Sequence, residues 1–347
     1  KKIAVIGPNA DNINALRANY YGTASNPVTI INGIKAKSGS EIEVVYHKGV
    51  ALVTSQYKDS LVLSKKILKD IQTADVAIFV GGLDATWEGE ESNKMRSREG
   101  VDGFYGGDRT KIELPKVQLN ALKAINKTGT PIIFVLLAGS AISFNGLEQE
   151  IEGILAAWYP GQRGGDAVAD VLFGNYNPAG RLPVTFYSST NELADFEDYN
   201  MRAGNGFTYR YYKGDAMYPF GHGISYTKFN YSDLTLSKTI VGNNDEILVS
   251  FDVKNSGELD GEEVVQLYVK DLESTTWMPI KQLREFKRIS LKKGEEKTVQ
   301  FKLKASEDLR YYDSLKQSYV VEQGDFEIQI GGSSKDIRLK KVITVVN

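Results

Sequence analysis

The chain has 347 residues, more than one hydrophobic core usually supports, so two domains are expected. Hydrophobic residues make up 41% and charged residues 25%, and a formal net charge of -2 excludes the broad basic footprint of a nucleic-acid binder. With no cysteine, disulfides, thiolate metal sites and a cysteine nucleophile are excluded, and no apolar run is long enough to span a bilayer.

Lys1 and Lys2 lead straight into an apolar run at residues 3–6 with no leader before it, so the expectation is that the protein continues upstream. Strands are predicted at 3–6, 42–46, 76–81, 132–137, 153–158 and 182–186, each bounded by Gly, Pro or Asn. Several are apolar on consecutive positions, the pattern of strands covered on both faces. Helices are predicted at 60–72, 115–126 and 165–172; in the second, Pro115 stands in the first turn and Leu119, Leu122 and Ile125 repeat at helical spacing. Strand, helix and strand in alternation predict a layered α/β sandwich with a largely parallel sheet.

Around 218–229 the chain becomes rich in Gly and aromatics and reads as an irregular connector. Beyond it, alternating runs at 247–253, 264–269, 298–303, 326–330 and 337–344, with turn signals between them, predict an all-β sandwich of immunoglobulin or fibronectin III type. The boundary falls near 228, giving domains 1–228 and 229–347. Lys281, Arg284, Lys287 and Arg288 suit an exposed strand face. The 19 tyrosines suit sugar surfaces and strand faces alike.

The most informative stretch is the polar loop after the third strand, from Asp84-Ala85-Thr86-Trp87-Glu88-Gly89-Glu90-Glu91 to Gly106-Gly107-Asp108-Arg109. Ligands of open α/β sheets bind outside the carboxyl ends of the strands, where this loop begins. Clustered carboxylates beside an aromatic are what cleavage of a glycosidic bond needs, because an apolar wall favours the protonated acid that donates to the leaving oxygen. A solvated acidic surface loop is the other reading of the same residues. Gly7-Pro8-Asn9 follows the first strand but lacks the Gly spacing and the Lys-Ser/Thr of nucleotide sites. The stretches 161–165 and 178–183 read as backbone turns at strand ends. His47 and His222 are the only histidines, too few for a histidine-rich metal site, and His222 is expected to pack between the domains.

Five stretches in order resemble glycoside hydrolase family 3. They are Ile-Ala-Val-Ile-Gly-Pro-Asn-Ala-Asp at the start, the loop from Gly82 to Gln118, and Trp158-Tyr159-Pro160-Gly161-Gln162-Arg163-Gly164-Gly165. Gly174-Asn175-Tyr176-Asn177-Pro178-Ala179-Gly180-Arg181-Leu182-Pro183 and Tyr218-Pro219-Phe220-Gly221-His222-Gly223 complete the set. The sandwich that follows resembles the family's fibronectin III-like domain.

The resemblance implies a retaining exo-acting β-glycosidase with an aspartate nucleophile on an N-terminal (β/α)8 barrel and a glutamate acid/base on the second domain. Nothing in the chain resembles the barrel, so it is expected to carry half of the catalytic pair and to be inactive alone. The family's Glu-x-Glu-Gly-x-Asp-Arg pattern maps the acid/base onto Glu90, with Glu88 as second choice and Glu91 and Glu99 behind. About a dozen and a half residues separate Glu90 from Asp108-Arg109, where many relatives have a couple. Asp108 and Arg109 are expected to brace the loop by an ion pair, and Trp87 either stacks on sugar or anchors the loop. The run Phe207 to Tyr212 resembles the β-xylosidase branch, so β-xylosidase is favoured over β-glucosidase, with α-L-arabinofuranosidase as a side activity. The implied substrate is an oligosaccharide or aryl β-glycoside, with no metal or organic cofactor, no nucleic acid and no membrane. The implied location is periplasmic or secreted, and the sandwich is open to a part in oligomer contacts. The competing class is a non-catalytic carbohydrate-binding or scaffold protein built from the same domains.

Overall fold

The computed structural model describes residues 1–19, 22–53, 63–88, 101–105 and 108–346. They form two compact units, residues 1–176 with 187–192, and residues 177–186 with 193–347.

The first unit is built on β1 (Lys2–Ile6), α1 (Asn14–Arg17), α2 (Ile30–Ser38), β2 (Glu43–His47), α3 (Lys65–Gln72) and β3 (Val76–Gly82). It continues with the short hairpin β4 (Phe104–Tyr105) and β5 (Asp108–Arg109), then α4 (Lys116–Asn126), β6 (Ile132–Leu137), β7 (Gly153–Ala156) and α5 (Gly164–Leu172). The five long strands pair in parallel in the order β2-β1-β3-β6-β7, a doubly wound sheet whose order reverses between β1 and β3. The consecutive apolar runs follow from burial on both faces: Ala4, Val5, Ile6, Phe79, Val80, Phe134, Val135 and Leu137 are all buried.

Several boundaries depart from expectation for local reasons. Helix α3 starts at Lys65, where the Ser64 side chain accepts from the Ile67 N–H and caps it, while residues 60–62 of the predicted helix lie outside the described residues. Strand β7 stops at Ala156, and Trp158 then takes a left-handed φ of 53°, which no strand continues through. Helix α2 was not expected at all. Gly161 supplies a turn, with φ 80°, and α5 opens at Gly164, one residue before the predicted helix.

The second unit is a sandwich whose strands pair antiparallel except where Thr344 and Val345 pair in parallel with Ile240 and Val241. One sheet is β13-β10-β8, with β8 Phe229–Leu236, β10 Glu246–Asn255 and β13 Glu296–Lys304. The other is β12-β11-β16-β17-β9, comprising β9 Ile240–Val241, β11 Gly261–Asp271, β12 Gln282–Leu291, β16 Gly324–Gly331 and β17 Ile337–Val345. A small hairpin, β14 (Tyr311–Asp313) with β15 (Ser318–Val320), and the turns α6 (Thr208–Tyr211) and α7 (Ala305–Asp308) complete it. Ile247, Val249, Phe251 and Val253 alternate inward and meet Val265, Leu267, Ile328, Ile330 and Ile343 in one core.

The predicted strand at 182–186 is not a strand of the parallel sheet. It makes an irregular antiparallel ladder with 218–222: the Leu182 N–H donates to the His222 carbonyl and the Phe186 N–H to that of Tyr218. Between these bonds the Phe220 carbonyl accepts from the Ser334 N–H instead, which leaves the ladder irregular. The basic row of 281–288 is also not one exposed face, since Lys287 and Arg288 are exposed while Lys281 and Arg284 are half-buried. Arg181 and Glu263 form a buried ion pair at 2.5 Å in this unit.

Candidate functional site

The parallel sheet delivers the carboxyl ends of β3, β6 and β7 side by side, and the residues just beyond them converge on Glu88. Strand β3 is held to its end by Gln118 of α4, which is fully buried. Its Oε1 accepts from the Gly82 N–H at 2.9 Å, and its Nε2 donates to the carbonyls of Gly82 and Leu52 at 2.8 and 2.7 Å. Asp84 then starts a tight turn: its Oδ1 accepts from the Thr86 N–H and hydroxyl at 3.0 and 2.5 Å, and its backbone carbonyl from the Trp87 and Glu88 N–H groups. From β1, the buried Asn9 amide donates to the Leu83 carbonyl at 2.9 Å, and Asn12 reaches Asp84 Oδ2 at 3.3 Å. Asn9 thus ties the turn after β1 to the end of β3.

Glu88 sits in a cage of donors. Its Oε2 accepts from the Gly139 N–H at 2.6 Å and from the Tyr159 hydroxyl, and its Oε1 from the Ser140 hydroxyl. The Arg109 guanidinium lies 4.0 Å from Oε1, and both side chains are 13% exposed. Arg109 in turn donates to the Ser140 Oγ at 2.8 Å and to the carbonyls of Ala141 and Lys111. Burial pulls the Arg109 pKa down, opposed by the charge of Glu88, and burial followed by the hydrogen bond to Glu88 pushes the Tyr159 phenol up. The residue before Tyr159, Trp158, has a left-handed φ of 53°, which at so bulky a side chain costs about 1–3 kcal/mol.

The hairpin that follows the loop is fixed as well. Trp87 is half-buried and packs edge-on against Phe104, with ring centroids 5.1 Å apart. Lys111 pairs with Asp102 at 2.5 Å. Glu113 accepts from the Thr190 N–H at 2.8 Å and hydroxyl at 2.6 Å, tying residues 187–192 to this unit; burial pushes its pKa up, and these hydrogen bonds outweigh that and hold it low.

Of the sequence candidates, Glu88, Trp87 and Arg109 are therefore brought together. The Arg109 ion pair is with Glu88, while the Asp108 side chain lies outside the described residues, as do Glu90, Glu91 and Glu99. Gly139, Ser140 and Tyr159 were not anticipated. Their signal was positional: each directly follows a parallel strand adjoining β3 or its neighbour, the edge where such sheets gather polar groups. Among the described residues no group of His, Asp and Glu is arranged to hold a metal ion. Three of the four lone-pair directions of the Glu88 carboxylate are taken by protein donors, which suits it to hold a loop more than to meet a substrate.

Residues 1–226 match the family model described as the Glycosyl hydrolase family 3 C-terminal domain, and residues 263–334 match a fibronectin type III-like domain. The chain belongs to glycoside hydrolase family 3. This family 3 chain is 38% identical over 89% of its length to a xylan 1,4-β-xylosidase of Xylanibacter ruminicola, covering 35% of that protein. It is 36% identical over 94% of its length to thermostable β-glucosidase B of Acetivibrio thermocellus, covering 43%. The β-glucosidase of Listeria innocua, solved in complex with isofagomine, superposes with a TM-score of 0.80 at 26% identity over 99% of this chain and 46% of its own. The family 3 chain thus spans between a third and a half of the length of these relatives.

Proposed function

We propose that the chain supplies the general acid/base of a retaining exo-acting β-glycosidase, and that Glu90 is that residue. The observation that carries this reading is the Glu88 cage. It pins the start of the loop two residues before Glu90, at the carboxyl edge of the sheet, and commits Glu88 to protein partners. In a retaining mechanism the acid protonates the leaving oxygen while a carboxylate about 5 Å away attacks the anomeric carbon, and the same residue then activates water. The attacking aspartate belongs to a (β/α)8 barrel in this reading, so the site is shared between domains. The sugar favoured is xylose, on the run Phe207 to Tyr212, with glucose next; a xylosidase and a glucosidase among the relatives are nearly equal in identity.

The test is Glu90→Gln in the complete enzyme, assayed on aryl β-xylosides and β-glucosides with good and poor leaving groups. General acid assistance is worth roughly a hundredfold to ten-thousandfold and is dispensable for an acidic phenol. The expected result is a loss of that order on poor leaving groups, a much smaller loss in the glycosylation step on activated ones, and faster turnover of xyloside than glucoside by the unmodified enzyme. An equal loss across leaving groups would remove Glu90 from the role.

A further inference from the structure

The second unit contains a pocket of about 400 Å³ that the glycosidase reading leaves unused. One wall is aromatic. Tyr209 and Phe220 stack with ring centroids 4.3 Å apart and 22° between their planes, and the Tyr209 hydroxyl is fixed by the Leu283 N–H at 3.0 Å. Lys213, Lys281 and Lys335 line the same pocket.

Lys281 is the inner member. The Ile280 N–H before it donates to the Arg210 carbonyl at 2.6 Å, which fixes the approach to β12. The half-buried Lys281 ammonium donates to the Ser334 carbonyl at 2.9 Å and lies 5.8 Å from the centroid of the buried Tyr268 ring. The leading charges that bear on it are mostly of its own sign, Lys340, Lys270 and Lys335, opposed by Glu327, which itself lies 3.6 Å from Lys340. Burial first, then these like charges, push its pKa down to about 8. Lys335 is paired at 3.1 Å with Asp215, which is fully exposed and so offsets little within the pocket. Stacked rings and three lysines lining one pocket match a ligand that carries one apolar face and one anionic group.

We propose that this pocket binds a carboxylate-bearing sugar, a uronic acid residue, with its ring against the Tyr209–Phe220 wall and its carboxylate among Lys281, Lys213 and Lys335. The anion follows from the charges alone, whereas the choice of a sugar rests on the glycosidase reading. A carboxylate there replaces the counter-charge that Lys281 lacks, so binding is strongest with Lys281 protonated and weakens as the pH rises past about 8.

The test is calorimetric titration of the full chain at pH 6.5 with methyl β-D-glucuronoside, methyl β-D-glucoside and inorganic phosphate, repeated at pH 9. Saturable binding of the glucuronoside is expected, with no measurable binding of the glucoside. Lys281→Met and Lys213→Gln should each weaken it about tenfold, the scale of one charge-assisted hydrogen bond. Circular dichroism and melting check that the variants fold, and Lys213 is exposed, so its variant stands if Lys281→Met fails to fold. Absent glucuronoside binding, equal binding of the glucoside, full retention by both variants, or phosphate as tight as the glucuronoside would each overturn the proposal. No hydrolysis is measured, so the Glu90 reading can fail while this one stands, and the reverse.

Discussion

Two oxygens of one carboxylate, three protein donors and a guanidinium make Glu88 the most heavily partnered acid of the loop that the structure describes. Glu88→Gln preserves its shape but turns one acceptor oxygen into an NH2 that faces donors on whichever side it is placed. A buried donor left unmet costs about 1–3 kcal/mol, so urea unfolding should show a loss of that size. In the complete enzyme the same variant should slow activated and poor leaving groups alike, because a displaced loop misplaces the acid for every substrate. A loss confined to poor leaving groups would instead transfer the acid/base role to Glu88. The family pattern ranks Glu90 ahead of Glu88, and the contacts described for Glu88 are what a single sequence could not supply. Those contacts come from Gly139, Ser140 and Tyr159, between 51 and 71 positions away. Their convergence depends on the order β3-β6-β7, which a single strand's pattern does not contain.

At the scale of elements, α2 and α5 meet backbone to backbone. A Cβ on Gly33 would lie 2.0 Å from the Gly165 carbonyl oxygen, and one on Gly165 would lie 2.1 Å from that of Thr29. Within a free helix Gly33→Ala would help by about 1 kcal/mol. Here the obstacle is main chain, which cannot rotate aside, and forcing it apart costs about 1–3 kcal/mol or more. Gly33→Ala should therefore be destabilising in denaturant unfolding, and a neutral or stabilised variant would mean the helices do not approach this closely. The same crossing explains why α2 escaped the sequence reading. Ile30, Ile31 and Ile34 are its buried face, but β-branched residues and an internal glycine argue against a helix until a partner helix is known. The alternating runs of the sandwich were readable because period-two burial is local. The 182–186 segment was misread because its apolar residues look like any strand.

Across the whole molecule, 42 basic and 44 acidic side chains leave little net charge, and between about pH 5 and 8 histidine is the ordinary side chain that titrates. There are two histidines. His47 lies 2.9 Å from Asp70 in the first unit, and His222 stacks on Tyr218 in the second, with ring centroids 5.2 Å apart. The two units divide at 176 with 187–192 returning to the first, while the family model for the first domain runs to 226, so the connector carrying His222 packs with the sandwich's unit. Burial, then the charge of Arg181, lowers the His222 pKa, and Asp336 opposes them only in part. The sign follows from proton counts. Between the lowered native value and about 6.5 the unfolded chain binds the proton and the native chain does not, so stability rises with pH in that window. The contribution is complete above about pH 6.5 and is lost as the pH falls toward the native value. His222→Asn removes it without touching His47, so the melting temperature of the unmodified chain should fall relative to the variant between pH 7.5 and 5. A relative gain for the unmodified chain on acidification would mean that His222 is protonated more readily in the fold than out of it, and that the guanidinium of Arg181 does not govern its environment.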